Sequence, residues 1–267
     1  MSDPPPPPPL APSDLGTKDY WDATYARELA NHAASPDDEG TVWFADAGAE
    51  EKVIELLEGM ADEGVLVKDD GPGQPATSFV DLGTGNGHLL FALRDEGWNG
   101  VMLGVDYSPA SVELARRIEV ARREGGPAED DEEDEDEETD DAGPVFPSGP
   151  PVVFAEHDIL SPSPPSSLPA GGADVLLDKG TFDAITLNSS VDTGRTTGER
   201  YVSNIASLLQ PTGRLVITSC NWTEAELRTW FERPGAGFAF ERRVAYPTFT
   251  FGGQSGQSVV TAVFRRM

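Results

Sequence analysis

The chain is short of several things, and each shortage excludes something. One cysteine in 267 residues, Cys220, can form neither an intramolecular disulfide nor a structural zinc site. Such usage points to a reducing compartment. The three histidines, His32, His88 and His157, are scattered and suggest no metal centre. No apolar run approaches the ~20 residues that a membrane span needs. Met1-Ser2-Asp3 followed by six prolines has neither the basic start nor the apolar stretch of a signal peptide. A cytoplasmic protein without a membrane partner is the expectation.

Positive charge is also scarce. Lys plus Arg number 19 against 47 Asp plus Glu, a formal charge of −28. Twelve of the carboxylates sit in one run, Glu129 to Asp141, and the remainder of the chain is still strongly acidic. Such a surface repels nucleic-acid phosphates and favours a basic partner. Solubility alone is the plainer account of the same charge.

Sufficient apolar residue, 38%, is present for one sizeable core. Residues 1–13 read as a disordered polyproline tail outside the fold, and 14–267 as one domain. Two amphipathic helical patterns come first, Leu15 to His32 and Glu50 to Glu63. A β/α alternation follows. Strands are expected at Thr77–Leu82, Val101–Val105, Val152–Ala155, Asp174–Leu177 and Arg214–Ser219. Helices are expected at Gly87–Glu96, Pro109–Glu124 with Ser108 as N-cap, Glu199–Leu209, and Thr223–Phe231 with Thr223 as N-cap. Residues 125–150 interrupt the pattern as a disordered acidic insertion. Two last β patterns, Phe238–Val244 and Ser258–Phe264, have no helix between them and should pair antiparallel. The fold class is therefore α/β: a Rossmann-like, seven-stranded, mostly parallel sheet with an antiparallel C-terminal hairpin and helices on both faces.

The most informative stretch is Asp81-Leu82-Gly83-Thr84-Gly85-Asn86-Gly87. Glycines let the chain turn sharply after a strand and approach a ligand closely. The helix that follows points its amino-terminal N–H groups into the same space. Asp106, with Tyr107 beside it, ends the second strand, where a carboxylate can accept both ribose hydroxyl hydrogens. A nucleoside cofactor is implied. The dinucleotide fingerprint fails, because its third glycine falls on His88 or Leu90. The pattern Asp-x-Gly-x-Gly-x-Gly instead resembles the first motif of the seven-strand S-adenosylmethionine-dependent methyltransferases. That resemblance gives Asp81, Gly83, Gly85, Gly87, Asp106 and Tyr107 to the cofactor, and Asp158, after the third strand, to its adenine amino group. A glycine turn without a ligand is the rival account.

Ligands in open α/β sheets bind beyond the carboxyl ends of the strands. The fourth strand runs into Asp178-Lys179-Gly180-Thr181-Phe182-Asp183. Asp178 is expected to face both the cofactor's methyl group and the acceptor, holding an amine as its proton leaves to water. Phe182 and Trp222 are candidates for an aromatic channel that lowers a lysine pKa by desolvation; ordinary core packing explains them as well. Lys179 is expected at the surface or anchoring a loop.

A narrower resemblance rests on several segments. Leu15-Gly16-Thr17-Lys18-Asp19-Tyr20-Trp21 with Tyr25, the stretch from Asp178 to Leu187, Ser219-Cys220-Asn221-Trp222, and Gly252-Gly253-Gln254-Ser255-Gly256 look like the translation elongation factor 1-alpha lysine methyltransferases of the methyltransferase-like 10 type. This resemblance implies elongation factor 1-alpha as substrate. It also implies an N-terminal segment folded over the cofactor, with Trp21 and Tyr25 on the methionine end, where an aromatic face attracts a sulfonium. Core packing of an amphipathic helix accounts for the same two residues. The acidic insertion departs from the family pattern. A monomer is expected. The rival functions are a small-molecule methyltransferase and a non-catalytic scaffold of the same fold.

Overall fold

The structure, a computed structural model, describes residues 7–125, 149–188, 190–192, 195–247, 249–251, 254–256 and 258–267. The first six residues of the tail (1–6), most of the acidic insertion (126–148), and Gly252 and Gly253 of one family segment lie outside the described residues.

Seven strands form one sheet: β1 (Phe79–Leu82), β2 (Met102–Asp106), β3 (Val153–Glu156), β4 (Ala173–Lys179), β5 (Leu209–Ser219), β6 (Phe238–Arg243) and β7 (Val260–Arg266). Their order is β3-β2-β1-β4-β5-β7-β6. Only β7 runs against its neighbours. The order reverses between β1 and β4, which opens a crevice at their carboxyl ends.

Alternation along the strands sorts side chains between two cores. Val80, Leu82, Leu176 and Ile217 face one side, where α5 (Thr181–Thr186), α6 (Thr197–Ile205) and α7 (Glu224–Phe231) supply Phe182, Tyr201 and Phe231. Phe79, Val175, Leu177 and Val216 face the other, where α2 (Ala49–Asp62), α3 (His88–Asp95) and α4 (Pro109–Glu124) supply Leu57, Leu90 and Ile118. Both faces are covered, as a parallel sheet requires. The first helix, α1 (Lys18–Ala34), is capped by the Thr17 hydroxyl and lies against α4.

Local chemistry starts the later helices. Thr196 with Glu199, and Thr223 with Glu226, form reciprocal capping boxes ahead of α6 and α7. Ser108 occupies the N-cap position of α4 as expected, although its hydroxyl is buried and makes no cap bond. Asp106 holds the Ser108 amide instead.

One element was not anticipated and one expectation changes. The stretch after β4 forms α5, a helix too short to show apolar periodicity. The tail does not stay wholly outside the fold: Leu10 is half-buried and packs against the α5–α7 core. Among the described residues no helix is long and apolar enough to cross a membrane.

Candidate active site

A cavity of about 780 Å³ lies over the carboxyl ends of β1 to β5. The turn after β1 forms its floor. Gly83 has φ +68°, and a Cβ there would lie 2.2 Å from the Thr181 hydroxyl, which donates to the Leu82 carbonyl at 2.6 Å. Gly85 has φ +59°, and a Cβ there would meet the Tyr25 hydroxyl at 2.5 Å. Only glycine supplies both the left-handed backbone and the clearance.

At the β2 end, Asp106 lines the cavity. Its Oδ2 accepts from the Gly85 amide at 3.1 Å and its Oδ1 from the Ser108 amide at 2.9 Å. Burial raises its pKa, and these two bonds oppose the rise. The glycine turn thus fixes the carboxylate's orientation while leaving acceptor sites free. Tyr107, Glu156, His157 and Asp158 continue the wall. The Lys18 ammonium sits 5.1 Å over the Tyr107 ring, a cation–π contact.

Aromatics close the cavity from above. Trp21 stacks on Tyr25 with centroids 6.1 Å apart, and Trp43 meets the Trp21 edge at 5.2 Å. Burial, then the charges of Asp106, Glu28 and Asp81, push the Tyr25 phenol well above its ordinary range. Tyr25 therefore stays protonated. The segment carrying Trp43 and Phe44 is tied down at three points. Lys179 Nζ donates to the Trp43 carbonyl at 3.0 Å, Asn86 Nδ2 to the Glu39 carbonyl at 2.8 Å, and the Thr41 amide to Glu28 Oε1 at 3.3 Å. Phe44 has φ +63°, a conformation uncommon for a bulky residue. Lys179 is the loop anchor that was one of its two expected roles. Burial lowers its pKa against the opposing charges of Glu50, Asp81 and Glu51.

The structure places the three residues expected at the acceptor away from the cavity wall. Asp178 is 2% exposed and is not part of the cavity wall. It accepts from the amides of Thr181 (3.0 Å) and Phe182 (3.0 Å) and from the Tyr201 hydroxyl (2.5 Å). Strand alternation turns it beneath α5, onto the Leu176 side of the sheet. Burial pushes its pKa to about 7, although the Tyr201 and Phe182 bonds favour the charge. Phe182 and Trp222 are core residues rather than a channel wall. Phe182 packs among Tyr201, Trp222, Trp230 and Phe231, and Trp222 Nε1 donates to the Thr186 hydroxyl at 3.1 Å.

Of the residues given to the cofactor, Trp21, Tyr25, Gly83, Asp106, Tyr107 and Asp158 come together on one cavity. Asp81, Gly85 and Gly87 are not in its wall. Asp81 is buried on the Phe79 side of β1, where burial lifts its pKa to about 6. Gly85 and Gly87 shape the turn. The residues that sequence reasoning missed are Trp43, Phe44 and Asp183. Adjacent aromatics in an otherwise polar loop were the only signal for the first two, and Asp183 gave none apart from its neighbours.

The wall suits a nucleoside that carries positive charge. Carboxylates stand at the β2 and β3 ends, a clearance is kept at Gly83, and aromatic faces lie opposite. A family model described as a methyltransferase domain matches residues 24–248. The protein-lysine N-methyltransferase EFM4 of Saccharomyces cerevisiae is 34% identical over 256 residues, covering 96% of both chains. The chain belongs to the protein-lysine methyltransferase family. EEF1A lysine methyltransferase 2 of Homo sapiens is 32% identical over 97% of this methyltransferase and 89% of its own length. Among solved structures, magnesium protoporphyrin IX methyltransferase of Synechocystis with bound SAM superposes with a TM-score of 0.54. It is 18% identical and covers 97% of this chain and 100% of its own, a likeness of fold.

Cys220 also lines the methyltransferase cavity. Burial, followed by the Asp183 charge, pushes its thiol up to about 12. It stays protonated and is a poor competitor for a methyl group.

Proposed function

We propose that this methyltransferase takes a methyl group from S-adenosylmethionine and places it on a lysine of translation elongation factor 1-alpha. The observation that carries the reading is the single cavity that Asp106, Asp158, Trp21 and Tyr25 share at the carboxyl edge of the sheet. Its supports are the relatives named for EEF1A lysine methylation and the strong negative charge of the chain. A basic substrate protein associates faster with such a surface.

When bound, the cofactor supplies a methyl carbon on a sulfonium, whose bonding pair stays on sulfur as the acceptor nitrogen bonds that carbon. Asp106 would accept the ribose hydroxyl hydrogens, and Asp158 the adenine amino hydrogens. The Trp21 and Tyr25 faces would attract the sulfonium. Trp43 and Phe44 would exclude water around the reacting atoms. Methyl transfer needs alignment more than acid-base power, so a rigid aromatic wall is an adequate scaffold for it. The same reading has the enzyme act as a monomer in the cytoplasm.

The test compares elongation factor 1-alpha from cells with and without this protein by mass spectrometry of its lysines. Loss of methyl groups from one lysine is expected. An unchanged pattern, alongside an enzyme active on other proteins, would reject the target while keeping the chemistry.

A further inference from the structure

We propose that Asp183, rather than Asp178, holds the ε-amine of the acceptor lysine, a statement that rests on the protein-lysine reading above. Three features of the cavity point to it. The wall carboxylates Asp106, Glu156 and Asp158 all stand at the β2 and β3 ends, the side given to ribose and adenine. On the β4 and β5 side, among the described residues, Asp183 is the only one.

The second feature is how Asp183 is held. Its Oδ1 accepts from the Ser219 hydroxyl at 2.5 Å and its Oδ2 from the Cys220 amide at 2.8 Å. The Ser219 oxygen in turn accepts from the amides of Asn221 (3.2 Å) and Trp222 (3.0 Å). The turn from Ser219 to Trp222, one of the most distinctive segments of the sequence, is thus wrapped around this carboxylate. Burial raises the Asp183 pKa, while hydrogen bonds from Ser219, Cys220 and Asn221 favour its charge.

The third feature is the missing countercharge. Asp183 is 4% exposed, and among the described residues its main influences are burial and the bonds from Ser219, Cys220 and Asn221, with no lysine or arginine among them. A buried carboxylate without a cation gains from receiving one. Asp178 lies beneath α5, bonded to Tyr201, Thr181 and Phe182, and is not in the cavity wall.

The geometry suits both stages of the reaction. An ammonium docks on Asp183 and loses one proton to water. A remaining N–H still donates to the carboxylate, so the freed lone pair has a fixed direction. As the nitrogen bonds the methyl carbon it becomes positive again, beside a fixed negative group.

The experiment uses the full chain with Asp183→Asn and Ser219→Ala. It measures melting, calorimetric affinity for S-adenosylmethionine, and kcat and KM on unmethylated elongation factor 1-alpha. Asp183→Asn should leave cofactor affinity within about twofold and lower kcat/KM by about 10- to 100-fold, the range for a lost charged hydrogen bond. Ser219→Ala, which removes the brace and keeps the carboxylate, should cost far less. The enzyme should also bind the factor more tightly than a copy with the mapped lysine replaced by methionine, and Asp183→Asn should abolish that preference. Equal losses in the two variants, or a preserved preference, would make Asp183 a structural brace and overturn the proposal. A wild-type enzyme that binds cofactor yet methylates no lysine would overturn the protein-lysine reading and this inference together.

Discussion

Asp106 and Asp178 end neighbouring parts of the same sheet edge, both are nearly fully buried, and both accept backbone amides. One reaches the cavity and the other does not. The chain leaves β2 through Tyr107 and Ser108 before α4 begins, so Asp106 keeps an open side. After β4, Gly180 turns at φ +89° and α5 starts at once, folding over Asp178. Tyr201 then takes the remaining position. A carboxylate at a strand end becomes a ligand group or a structural one according to what the next few residues build above it.

The sharpest way to break this comparison is Asp178→Ala. It strands the Tyr201 hydroxyl and two amides, and we expect a loss of about 3 kcal/mol or more. Melting should fall by roughly 10 °C. An unaltered melt with lost turnover would return Asp178 to the cavity.

Asp106→Ala is the counterpart on the other side. Cofactor affinity should weaken by about 1.5–3 kcal/mol, the worth of charge-assisted bonds, with a smaller loss of stability. Calorimetry showing equal affinity in variant and wild type would remove Asp106 from the ribose.

A smaller effect separates the two through pH. Asp178 titrates near 7 in the fold against an ordinary value near 4, so between these values the native state holds the extra proton. Its contribution is complete below about 4 and is lost as pH rises through about 7. Asp178→Asn mimics the protonated acid. Its stability relative to wild type should therefore improve with rising pH, by up to ~1.4 kcal/mol per unit within that window. Urea titrations at several pH values check the sign, and parallel curves would contradict it. The smallest effect belongs to the acidic run. A chain lacking residues 129–141, which contribute no apolar side chain, should melt within about 1 °C of the parent.

Much of the fold was legible because its signals are local. Alternating β and α patterns marked the seven sheet strands, and the glycine turn with Asp106 marked the cofactor side. The Thr223 cap was visible for the same reason, since a side chain and an amide three residues away are neighbours in any helix start. The acceptor side was less legible. Phe182 and Trp222 had the right composition for a channel, yet composition does not say which way a side chain faces once its element packs. The cluster around Phe231 and Trp230 claimed them.

Sequence by itself determined the α/β class, the reversed last strand, the glycine turn and the family, because each is written within a few residues or in strand-helix periodicity. Tertiary structure alone decided which carboxylates line the cavity and which aromatics roof it. Asp178 is claimed by a tyrosine 23 positions away and Trp43 is placed by a lysine 136 positions away. Such pairings depend on how whole elements pack, and no spacing along the chain records them.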